Sequence, residues 1–212
     1  MAKIDHHVHT SRYSPDSDIS PAQLVAAARR AGLDVVVITE HDHQWPQDEL
    51  DELNRSAQGL VVLSGAEISA REGHFLVYGL PNLDEVPVGI ALADLIEVVQ
   101  RHRAGIVAAH PFRWEQDFKA IVVRHGAVFD GIELLSNNVT RETRALTEAL
   151  LKHHPMAATG SSDGHQPEVV GCYFTEVPGE VRTMADFLAA LKGGEGRPRH
   201  REGTRMACGR AD

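Results

Sequence analysis

Histidine outnumbers all the aromatic residues of this chain, with 13 His against 6 Phe, 3 Tyr and 2 Trp. Imidazole is the commonest metal ligand and an acid or base near neutral pH, so the surplus points to metal or proton chemistry. The placement matters more than the number. His7-Val8-His9, Glu40-His41-Asp42-His43, Glu67, His74, His110-Pro111-Phe112-Arg113, Glu133 and Asp163-Gly164-His165 all fall where short apolar runs begin or end. In a strand, residues i and i+2 face one side, so His7 and His9 point together, as do Asp163 and His165 where the chain stays extended. Histidines and carboxylates without thiolate suit Zn, Mn or Fe. The set exceeds the needs of one tetrahedral ion and predicts two or three.

Residues spread over 160 positions need a scaffold that gathers them. Strands are predicted at 4–9, 35–39, 60–64, 75–78, 105–109, 131–135, 156–159 and 172–177, and helices at 21–31, 92–102, 141–153 and 184–191. Ser20 as N-cap, Pro21 in the first turn and Gly32 as the stop delimit the first helix. Buried-looking strands alternating with helices give an α/β fold with βα units around a closed barrel. The C-terminal strand ends of such a barrel converge on one mouth. His6, next to His7 on a strand, is expected to point away from the site. His102, His125, His153 and His154 fall on helices or loops and receive no chemical role, while His43 lies near the mouth.

The 212 residues make one domain, read here as 1–192, followed by a Gly/Arg-rich tail at 193–212 that is expected to be poorly ordered and takes His200 and Cys208 with it. Two cysteines exclude a disulfide framework and a thiolate zinc site. A net charge of -9 disfavours a nucleic-acid coat or an anionic-membrane binder. The N-terminus lacks an apolar leader and no run approaches a membrane span, so the expected location is cytoplasmic, with no membrane partner.

In order along residues 3–192, Asp5-His6-His7-Val8-His9-Thr10, Thr39-Glu40-His41-Asp42, Gly65-Ala66-Glu67, Ala109-His110-Pro111 and Ser162-Asp163-Gly164-His165 resemble the motifs of the PHP (polymerase and histidinol phosphatase) family. The resemblance implies a distorted (β/α)7 TIM-like barrel with up to three metals at the C-terminal mouth. It also implies phosphoesterase activity, as in histidinol phosphatases, nucleotide phosphatases and proofreading exonucleases. By that resemblance His7 and His9 hold a first metal with Asp163, and Glu67 bridges to a second held by His74 and His110. A third falls to Asp16, His41 and His165, with Asp18 as the substitute for Asp16. Glu40 stands where relatives often carry Asp, behind the ligands.

The implied activity is metal-dependent hydrolysis of phosphate esters, with Glu67, Asp163 and His165 as the catalytic groups and metal-activated water as nucleophile. Arg113 is the first candidate for gripping phosphate, its alternative being an ion pair with Glu115 or Asp117; Arg12 is the second. A phosphatase acting on a small phosphorylated substrate such as a nucleotide is favoured over a nuclease or oligonucleotide phosphodiesterase. An acidic chain is poorly suited to long nucleic acid, and only Trp45, Trp114 and Tyr13 look available for stacking bases. A non-catalytic metal-binding or assembly module is the alternative of another class.

Overall fold

The computed structural model describes residues 1–126 and 128–202. Along them run β1 (Ala2–Val8), α1 (Pro21–Ala31), β2 (Val35–Ile38), α2 (Gln47–Ser56), β3 (Val61–Ala70), β4 (Gly73–Tyr78), α3 (Leu92–Arg101), β5 (Gly105–Ala108), α4 (Phe118–His125), β6 (Gly131–Leu135), α5 (Arg141–Leu151), β7 (Ala158–Gly160), β8 (Tyr173–Val177), α6 (Met184–Lys192) and β9 (Arg197–His200).

The strands form one sheet in the order β7-β6-β5-β4-β3-β2-β1-β8-β9. It curls until its two ends meet. Gly160 of β7 donates its N–H to the Thr175 hydroxyl of β8 at 2.9 Å, and that hydroxyl donates back to the Gly160 carbonyl at 2.9 Å. Val8 also bridges Gly164 beyond β7. The result is the expected α/β barrel, distorted. β1, β2 and β3 run parallel, as do β5, β6 and β7, whereas β4 runs antiparallel to both neighbours. Only Arg71 and Glu72 separate β3 from β4, too few for a crossover helix, and Gly73 takes the turn's φ of 143°.

Strand alternation sorts the side chains into layers. Val36, Ile38 and Val62 pack with Leu24, Ala28, Leu50 and Leu53 of α1 and α2. Ile68, Phe75, Val77, Ile106 and Ile132 pack with residues of α3 and α4 such as Leu95, Val99 and Phe118. The opposite faces gather Ile4, Val35, Val37, Leu76, Tyr78 and Val107 into a cluster completed by Phe187 and Leu191 of α6. That apolar cluster leaves the other end of the barrel to the polar strand ends.

α1 starts and stops as expected, with a Ser20–Gln23 capping box and a left-handed Gly32. α2 and α4 are elements that periodicity does not reveal. α2 buries only Leu50 and Leu53, and α4 is eight residues long behind its Asp117 cap. Composition also misleads at the C-terminus: Arg197–His200 pairs antiparallel with β8 and forms β9. A short strand needs backbone groups more than apolar side chains, and Arg199 adds a 3.0 Å contact to Glu176. The remainder of the expected tail, residues 203–212 with Cys208, lies outside the described residues. Among the described residues no helix is long and apolar enough to cross a membrane.

Candidate metal centre

The site begins with an irregularity in β1. Its register against β2 shifts between Asp5 and Val8, so strict alternation breaks there. His6 and His7 consequently share the interior, contrary to the expectation that they diverge. The His6 ring lies 2.8 Å from the Tyr78 hydroxyl and 3.2 Å from that of Thr175, and Tyr78 also donates to the His6 carbonyl at 2.9 Å. Above this layer stand His7 and His9, both fully buried. Asp5 accepts the N–H groups of Ser162 and Gly171 at 2.8 Å each, which ties the Asp163 loop to the same strand.

Glu67 of β3 is the hub. Its Oε2 lies 3.3 Å from His7 Nε2, 3.2 Å from His9 Nε2 and 3.1 Å from His41 Nδ1. Its Oε1 lies 2.8 Å from His74 Nδ1 and 3.0 Å from His110 Nε2. Asp163 Oδ1 closes the first set at 3.3 Å from His7 and 3.4 Å from His9. Three overlapping groups of ligand atoms result: His7, His9, Glu67 and Asp163; Glu67, His74 and His110; and His9, His41 and His165. Asp16 joins the third, its Oδ2 3.1 Å from His41 and 3.3 Å from His165. Asp18, the substitute, is exposed.

The donor set fits metal ions. Around a tetrahedral ion with ligand bonds of about 2.1 Å, donor atoms stand about 3.4 Å apart. The first group's contacts to Glu67 and Asp163 run from 3.2 to 3.4 Å. His7 Nε2, His9 Nε2 and Glu67 Oε2 are moreover buried without a hydrogen-bond partner. Three such orphans facing one point are costly unless a cation satisfies them.

Protonation tells the same story. Burial alone would push His7 down, yet Asp163, Glu133 and Glu67 hold it well above its ordinary value. His9, likewise opposed by burial, is raised to about 9 by Asp163 and Glu67. Glu67 stays well below the carboxylate range against its own burial, through the charge of His7 and the close approach of the His110 and His41 rings. Buried carboxylates here demand positive charge at one place, which protons or metal ions supply.

Around the ligands lies a set of orienting groups. Glu133 of β6 lies 2.9 Å from His7 Nδ1, accepts the His110 N–H at 2.7 Å and accepts the Ser161 hydroxyl. This carboxylate fixes the His7 tautomer with Nε2 free. Ser14 lies 3.3 Å from His9 Nδ1 and donates to Glu40 at 2.6 Å, so Glu40 stands behind the ligands as expected. Asn138 donates to Asp163 Oδ2. His110 and Asp163 sit at φ 27° and 50°, backbone strain concentrated at the cluster.

Among known proteins, the family model described as PHP-associated matches residues 143–195. An uncharacterized protein of Methanocaldococcus jannaschii is 30% identical over 120 residues, 52% of this chain and 68% of that protein.

The chain belongs to the PHP family.

Its fold is shared with a two-domain protein of Bacteroides vulgatus containing a predicted PHP-like metal-dependent phosphoesterase, at a TM-score of 0.72 and 22% identity over 95% of this chain. The chain spans 65% of that protein's length. A lesion-specific endonuclease of Pyrococcus furiosus aligns at a TM-score of 0.66 and 20% identity, covering 93% of this chain and 57% of that one.

The structure brings together all nine candidate ligand positions named from sequence: Asp16, His41, Glu67, His74, His110, Asp163 and His165 line a cavity of about 380 Å³, which Arg113 also lines, and His7 and His9 contact Glu67 and Asp163 from within the core. Arg113 Nη1 stands 4.0 Å from Asp163 Oδ2. Arg12 does not join them. Glu49 of α2 takes its guanidinium at two positions, 3.0 Å each, which holds it on the surface. His43 lies against Tyr13, with ring centres 4.0 Å apart, and belongs to none of the three groups of ligand atoms that could hold a metal. Sequence reasoning passed over the orienting roles of Glu133, Ser14 and Asn138. Glu133 already stood among the strand-borne carboxylates of the sequence, and its burial in β6 shows the orienting role.

Proposed function

We propose that this PHP chain is a metal-dependent phosphatase acting on small phosphorylated molecules such as nucleotides. Family membership and the buried His/Glu/Asp cluster support metal-dependent hydrolysis. The observation that carries the phosphate reading is Arg113, a guanidinium at the mouth 4.0 Å from Asp163, where it can take two phosphate oxygens at once.

His7, His9, Glu67 and Asp163 would hold one ion; Glu67, His74 and His110 a second; and Asp16, His41 and His165 a third, with Mn, Fe or Zn suited to these donors. Bound divalent ions supply Lewis acidity, which lowers the pKa of water and neutralises phosphate charge. Glu67 sets the spacing of the cluster by offering one oxygen to each side. Asp163, fixed by Asn138, faces the mouth and orients the attacking water. Arg113 offsets the negative charge that builds on the non-bridging oxygens. Where the third ion is absent, His165, less buried than His7 and His9, is free on the Asp16 side of the mouth to pass a proton to the leaving alcohol.

The test is phosphate release from nucleoside monophosphates, sugar phosphates and short oligonucleotides with Mn or chelator present. Chelator-sensitive release from the small compounds supports the proposal. Cleavage of oligonucleotides alone replaces it with a nuclease, and silence in metal-loaded protein replaces it with a binding or assembly module.

A further inference from the structure

The loop after β5 does more than deliver His110 and Arg113. His110, Phe112 and Trp114 take φ values of 27°, 65° and 53°, three left-handed non-glycine residues in five. A bulky residue adopts that conformation only where its surroundings enforce it. Phe112 turns inward, with its ring centre 6.0 Å from that of Phe118. Trp114 is thrown outward and is 64% exposed. The other two residues that looked available for stacking are not. Trp45 is buried and donates to Glu40, while Tyr13 lies against His43 and Glu49.

Trp114 stands at the metal mouth. Its ring centre is 5.0 Å from that of His74 and 5.6 Å from that of His110, and the Arg113 guanidinium lies 4.0 Å over the indole. On its other side opens a second cavity of about 450 Å³. The two cavities share His74, His110, Arg113 and Trp114 as a common wall. The second is of small-molecule size, and Arg71, Gln116 and Asp117 line it with polar groups that suit a heterocycle.

Resting on the phosphatase reading above, we infer that this side cavity receives the leaving alcohol and that Trp114 selects alcohols carrying a planar ring by stacking on it. A phosphate beneath Arg113 directs its ester oxygen past Trp114. An indole already fixed by Arg113 and two imidazoles loses little freedom when a ring stacks on it. The recognised unit is base, sugar and phosphate, whether free or at the end of an oligonucleotide. Trp114 is a specificity residue and touches no reacting atom.

Adenosine 5′-monophosphate, the 5′-phosphorylated dinucleotide and ribose 5-phosphate are compared on the Mn-loaded protein by kcat/KM and, independently of turnover, by equilibrium binding. Ribose 5-phosphate keeps the sugar and phosphate and lacks the ring. The native protein should favour adenosine 5′-monophosphate by about tenfold, the worth of one stacked base. Trp114→Ala should bring the ratio close to one, mainly through KM, and Trp114→Phe should restore part of it. Preference for the dinucleotide would assign the ring to an oligonucleotide end, and preference for the mononucleotide to a free one. Equal affinity for adenosine 5′-monophosphate and ribose 5-phosphate, or an unchanged ratio in Trp114→Ala, overturns the inference while the phosphatase reading stands. Failure to hydrolyse any of the three overturns that reading, and the binding ratio then still decides the role of Trp114.

Discussion

The two sides of the metal mouth are built differently. On the inner side His7, His9, Glu67 and Asp163 are at most 4% exposed and are held from behind by Glu133, Ser14 and Asn138. On the outer side Asp16 is 55% exposed on a turn, and His41 and His165 are only partly buried. A buried cage fixed by orienting hydrogen bonds loses little entropy on binding an ion, whereas an exposed carboxylate must be ordered and desolvated first. The inner ions should therefore be resident and the outer one exchangeable.

The largest expected effect belongs to the inner side. Asp163→Ala removes a ligand from the first group, and phosphate release should fall about 10³-fold or more, whereas His153→Ala, at an exposed position just after α5, should leave it unchanged. Normal turnover in the Asp163 variant breaks the contrast. Glu133→Gln comes next, with His7 and the carboxylate's other partners still in place. Loss of an orienting partner to a ligating histidine typically weakens metal affinity about 10–100-fold, measurable by competition with a chromogenic chelator. Asp16→Ala should be milder for the inner ions, with outer-site occupancy lost at low Mn and recovered at high Mn.

A pH series sharpens the same comparison. His9 is raised from 6.5 to about 9, so in chelated protein its protonated form stabilises the fold fully below 6.5, and that contribution is lost as pH rises through 9. The thermal midpoint of chelated protein should fall across that window. Bound metal needs the neutral imidazole, so the midpoint gained on adding Mn should widen as pH rises. A gain that shrinks with pH would contradict the assignment of His9. The smallest effect is chemical: burial pushes the Cys172 thiol up to about 12, so alkylation of Cys172 at pH 8 should lag far behind a free thiol, as mass spectrometry of the peptide would show.

Much of this was legible because strand periodicity and ligand chemistry act locally. His7 and His9 at i and i+2 read directly as a pair, and the strand-end positions of Glu67, His110 and Asp163 predicted one mouth. The failures trace to long-range structure. His6 was misplaced because a bulge in β1 cannot be seen in its own residues. Arg12 looked available because α2, the helix carrying its partner Glu49, has too weak an apolar stripe to announce itself. β9 was missed because its pairing with β8 satisfies backbone groups rather than burying side chains.

Glu67 joins the His7/His9/Asp163 group to the His74/His110 group through its two oxygens, and metal content tests that claim most directly. Mn-reconstituted native protein, desalted and measured by inductively coupled plasma mass spectrometry, should carry two or three ions per chain, and Glu67→Ala should carry fewer than one. A full complement in Glu67→Ala, or none in the folded native protein, would contradict a bridged cluster.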